Sequence, residues 1–132
     1  MAAVVFDYVS DDFSRSVLQA LQVEEEPAMK IQAACDGLRE YYDSGRNSCY
    51  LAIMSFGEAD NLFHDKVKAR LELIIESLAK VLVEAGIEKK IARTRSQDAI
   101  AQIQGALILV RILDDIEPFE RVIKGLVGRL LG

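Results

Sequence analysis

The chain has 132 residues, 51% of them hydrophobic and 28% charged, with two prolines and two cysteines. That length and balance specify one domain spanning 1–132 that buries a core without metal or disulfide, and exclude a disordered segment. Sixteen basic against twenty-one acidic residues leave a net charge of −5, which excludes a chain that grips nucleic acid by itself.

Strand alternation is absent, and apolar residues recur at helical spacing in six segments. The first, about 2–21, aligns Phe6, Val9, Phe13, Val17 and Leu21. "VEEEP" ends it, and Pro27 suits the first turn of the next helix, where a missing N–H costs nothing. That helix, about 27–43, lines up Ile31, Ala34, Cys35, Leu38, Tyr41 and Tyr42, and Gly45 supplies a left-handed stop. After the turn comes "CYLAIM", then "SFGE", where Ser55 and Glu58 have capping-box spacing for a short helix over about 54–61. The fourth helix, about 62–85, carries Phe63, Val67, Leu71, Ile74, Leu78 and Leu82 in one stripe, with Glu72, Glu76, Lys80 and Glu84 on its wet face and Gly86 after it. The fifth, about 88–113, is polar through "EKKIARTRSQD" and apolar nearly all round through "AIAQIQGALILVRIL". Pro118 opens the sixth, whose broad apolar face includes Phe119, Val122, Ile123, Leu126, Val127, Leu130 and Leu131.

A helix that is hydrophobic on every side has to be buried on every side. Two arrangements meet that demand. In one, the fifth helix is simply the core of a monomer. In the other, the last two helices form half of an intermolecular four-helix bundle, in which Leu107, Val110, Phe119, Ile123 and Leu126 meet their copies across a two-fold axis.

Residue chemistry argues against catalysis. The chain has one histidine, His64, and no G-x-S-x-G elbow, glycine-rich phosphate loop or HExxH motif. A carboxylate-bridged di-iron bundle needs paired Glu-x-x-His motifs, but Asn61 stands three before His64 and no second copy exists. Cys35 and Cys49 form no disulfide framework or zinc set; they leave one disulfide or two reduced thiols, and a cytosolic protein favours the thiols. No cofactor or metal is expected. The cluster Lys89, Lys90, Arg93 and Arg95 reads as a solvated face. The first residues carry no basic leader, and "GALILV" (105–110) falls short of a membrane span, so a cytoplasmic protein is expected. What remains is a small-molecule pocket: Tyr42, Met54, Phe56, Phe63 and Gln104 combine aromatics, an adaptable Met and polar groups on or beside inward faces, although the same residues also fit plain core.

From "YYDSGRNSC" through "SFGEADNLFHDKVKARLELIIESLAKVLVEAGI" to "DAIAQIQGALILVRILDDIEPFERVIKGLVGRLL", the chain resembles the C-terminal ligand-binding and dimerisation domain of TetR-family transcriptional regulators. Residues 97–123 carry the most specific part: a glycine within an apolar helix, a basic residue, an acidic turn, then Phe119 on the last helix. The resemblance implies an all-α, six-helix domain whose last two helices make an intermolecular four-helix bundle, with an interface of Ile100, Ile103, Leu107, Val110, Arg111, Phe119, Val122, Ile123 and Leu126. It implies a cavity for an apolar or amphipathic effector lined by Phe13, Val17, Leu38, Tyr42, Met54, Phe63, Val67, Leu71 and Gln104, with "CYLAIMSFG" as one wall. The family's three-helix DNA-binding head is not matched here. Residues 1–26 resemble the connector that follows it, so operator DNA would be met only through a head missing from this chain. Two readings stand: the sensing part of a regulator, most simply a repressor, or a stand-alone helical dimer that binds a ligand or a protein partner without DNA.

Overall fold

The connections set the architecture, and each is written in a few residues. The computed structural model of the chain describes residues 17–42 and 61–132. Within them lie α1 (Gln19–Gln22), α2 (Pro27–Tyr41), α3 (Asn61–Glu84), α4 (Lys89–Leu113) and α5 (Glu117–Leu131), and no strand. The helix expected over 54–61 and the Gly45 stop lie outside the described residues.

Pro27 opens α2 behind Glu26, whose extended backbone (φ −60°, ψ 144°) turns the chain out of α1. α3 closes with a paired cap: Gly86 N–H donates to the Val83 carbonyl at 2.9 Å and Ile87 N–H to the Leu82 carbonyl at 3.1 Å. Gly86 sits at φ +95°, a conformation that penalises a Cβ even though a Cβ there would touch nothing. α4 ends at Asp114, left-handed at φ 57°, and Glu117 N–H donates to Asp115 Oδ1 at 3.0 Å to start α5. Aspartate tolerates that backbone better than most side chains.

α4 is the central long helix, packed on α3 along one side and α5 along another, while α2 lies across α3 and α5. All five helices meet in one hydrophobic cluster. Its most deeply buried side chains include Ile31, Leu82, Phe119, Ile123 and Leu130. The α3 stripe runs slightly wider than its sequence spacing predicts: Ile75 and Val81 are buried beside Leu78 and Leu82, whereas Val67, Leu71 and Ile74 are half-buried.

Ion pairs tie the helices together. Lys30 on α2 is itself buried and reaches Glu84 Oε2 on α3 at 2.8 Å. Arg39, nine residues on, donates from Nε to Glu120 Oε2 on α5 at 3.1 Å. The basic cluster at the start of α4 is not only a solvated face, because two of its arginines have distant partners. Arg93 pairs with Glu72 (2.8 Å) and Glu76 (3.4 Å) of α3. Arg95 Nη1 donates to the Leu130 carbonyl at 2.8 Å, satisfying a backbone acceptor in the last turn of α5.

Candidate functional site

Residues from every described helix surround a cavity of about 70 Å³ between α2 and α4. α2 supplies Ile31, Ala34, Cys35 and Leu38, which fall at steps of three and four along one face, with Tyr42 just past its end. α4 supplies Ile100, Ile103 and Gln104. Leu71, Ile74 and Leu78 of α3, Leu126 of α5, and Val17, Leu18 and Leu21 at α1 complete the lining. Among the described residues no lining side chain is charged. Tyr42 is held from both sides: its ring stands edge-on to Tyr41 (centroids 4.8 Å apart, 89°) and to Phe119 (6.3 Å, 76°).

Two polar atoms mark this wall. Gln104 Oε1 is fully buried and has no hydrogen-bond partner among the described residues. The Cys35 thiol is free and fully buried. Burial pushes it up from 9.0 to about 11, against a smaller downward pull from Arg39. Because the folded chain holds the thiol proton more tightly than the unfolded chain, the associated stability is full below pH 9 and is lost as the pH rises toward 11. The expected loss is on the order of 2 kcal/mol. Urea unfolding of wild type and Cys35→Ala at pH 8 and pH 10.5 checks this, and equal pH slopes would contradict it.

The residues expected around a pocket separate clearly. Val17, Leu38, Tyr42, Leu71 and Gln104 line the cavity together. Val67 is half-buried on α3 outside the lining, while Phe13, Met54 and the side chain of Phe63 lie outside the described residues. The residues expected at a two-fold interface also divide. Ile103, Leu107, Val110, Phe119, Ile123 and Leu126 are buried within a single chain, Ile100 and Val122 are half-buried, and Arg111 is exposed. Ile100, Ile103 and Leu126 also line the cavity. The apolar side chains that α4 turns outward are their neighbours: Ile108 and Leu109 at 47% exposure, Leu113 at 59% and Ile112 at 73%. Ala101 and Gly105 precede them on the same exposed side, and a Cβ at Gly105 would meet nothing.

The family model for "Transcriptional regulator LmrA/YxaF-like, C-terminal domain" matches residues 27–125. The chain belongs to this TetR family. No curated protein and no solved structure matches it. The part matched to the TetR C-terminal domain begins at Pro27, the first residue of α2, and ends at Gly125 inside α5, so it contains both the α2 wall of the cavity and the α4–α5 pair. TetR C-terminal domains typically dimerise and bind small-molecule effectors, and as a family they are not enzymatic. Among the described residues of this TetR domain, no helix is long and apolar enough to cross a membrane, and no group of side chains is arranged to hold a metal ion.

Proposed function

We propose that this chain is a single effector-binding and dimerisation domain of a TetR-family transcriptional repressor. It acts as a homodimer in the cytoplasm and is released from operator DNA when a small apolar or amphipathic molecule binds. DNA contact is assigned to a helix-turn-helix head outside these 132 residues. The observation that carries the reading is a cavity lined by residues from α1 to α5, none of the described ones charged, set against α4, whose outward side is apolar and exposed.

The proposed interface keeps to the α4–α5 pair but uses the side chains that α4 points away from its own core. Ala101, Gly105, Ile108 and Ile112 follow one another at steps of four, three and four, the spacing of a helix seam. Gly105, and Gly128 on α5, leave room for a second chain's backbone, since a Cβ at either would touch nothing. Val122 flanks the seam, and the buried residues Leu107, Val110, Phe119, Ile123 and Leu126 act as the layer that supports it. Light scattering on the purified chain at micromolar concentration is expected to give twice the chain mass. A monomer would overturn the dimer. A native mass spectrum free of bound molecules, together with no melting shift across a library of neutral aromatic and acyl compounds, would overturn effector binding.

A further inference from the structure

We propose that the cavity between α2 and α4 selects a compact, uncharged, single-ring molecule bearing one hydrogen-bond donor, and that Gln104 Oε1 is the atom that receives the donor. This inference rests on the reading of that cavity as the effector site.

Three observations lead there. The first is the orphaned acceptor. Gln104 lies one turn of α4 beyond Ile100 and next to Ile103, and all three line the cavity. Its carbonyl oxygen is fully buried with no partner among the described residues. Native proteins rarely leave a buried acceptor unpaired, and pairing it is worth about tenfold to a hundredfold in an equilibrium constant. Around Gln104 the described lining offers apolar side chains such as Leu71, Ile74 and Leu126, with only the Cys35 thiol and the Tyr42 hydroxyl as further polar groups.

The second observation is charge. With no charged side chain in the described lining, an ionised ligand would shed its hydration for no counter-charge. The Cys35 thiol already reports this environment: burial lifts it to about 11 although Arg39 lies near enough to pull it down. The third is size. A cavity of about 70 Å³ is well below the roughly 300 Å³ at which drug-sized pockets begin. An engineered apolar cavity of roughly 150 Å³ accommodates benzene, about twice the volume here, so one ring is the upper bound on the guest and its entry requires lining side chains to move aside.

Phenol and toluene test this directly, because they differ by a hydroxyl in place of a methyl. Each is titrated into the full chain by calorimetry, with wild type and Gln104→Leu compared. A purely apolar cavity would favour toluene, whose methyl has no hydrogen bond to water to give up. In the wild type phenol is expected to bind at least as tightly as toluene. In Gln104→Leu the phenol-to-toluene affinity ratio is expected to fall by about tenfold or more. Toluene binding more tightly to the wild type, or an unchanged ratio in the variant, would overturn the role of Gln104 while leaving the cavity as a binding site. Failure of both compounds to bind the wild type would overturn this inference, while the effector reading would still stand or fall on the native mass spectrum and the wider compound library. The wild-type comparison decides the matter even where the variant does not fold.

Discussion

Leu107→Asp is expected to unfold the chain, and Ile108→Asp, one residue further along α4, to leave it folded and monomeric. Leu107 is 3% exposed and belongs to the central cluster, so an aspartate there is a buried carboxylate with no partner. Such a group costs several kcal/mol, a large share of the roughly 5–15 kcal/mol that holds a domain together. Ile108, about 100° further round the helix, is 47% exposed. A carboxylate there stays hydrated in the isolated chain and becomes costly only when a second α4 is brought against it. Circular dichroism and light scattering separate the two outcomes. A cooperatively folded Leu107→Asp would show that the intrachain packing of α4 is misplaced. An Ile108→Asp protein that remained dimeric at micromolar concentration would rule out the outward seam.

Phe119→Ala should be nearly as damaging, and for a reason confined to one chain. Phe119 is completely buried in the first turn of α5 and meets the Tyr42 ring edge-on at 6.3 Å, joining the start of the last helix to the end of α2. Removing a buried phenyl ring costs about 3–5 kcal/mol, because lost burial is compounded by the cavity left behind. In a domain of this size that is a fall in melting temperature of about 10 °C or more. The loss is expected to be the same in an Ile108→Asp background, since the contact does not cross between chains. A loss that vanished in that background would place Phe119 at the interface after all.

These contrasts follow from what a periodic pattern can and cannot carry. Pro27, Gly86 and Pro118 punctuate the chain through local backbone chemistry, so the spans read from sequence for α2 to α4, and the start of α5, agree with the structure to within about two residues. The second half of α4 is different. Where residues are apolar on both sides of a helix, spacing at 3.6 no longer distinguishes the face turned to the chain's own core from the face left outside. Leu107 and Ile108 are equally apolar, and only the positions of α3 and α5 separate them. The same limit hid the roles of Arg93 and Arg95, whose partners stand 17 to 35 residues away. For the cavity, Val17, Leu38, Tyr42, Leu71 and Gln104 stood out because an aromatic, an amide or a stripe position drew attention to each. Ile31, Ile74 and Leu78 stood on the same stripes but were not expected in the lining, because nothing local distinguishes a residue facing a void from one facing another side chain.

The two ion pairs of α2 have a mechanical consequence. Lys30 pins the helix to the last turn of α3, and Arg39 pins it to the first turn of α5. The pins are separated by nine residues, about 13 Å along the axis, and the apolar residues facing the cavity lie between them. α2 is thus a strut fixed at both ends, one pin on each of two different helices. It cannot slide along its axis without loading both pins. Any force that bows its middle outward is delivered to the end of α3 and the beginning of α5 at once. A push from inside the cavity would therefore reach α3 and α5 through two ion pairs alone, at Glu84 and at Glu120.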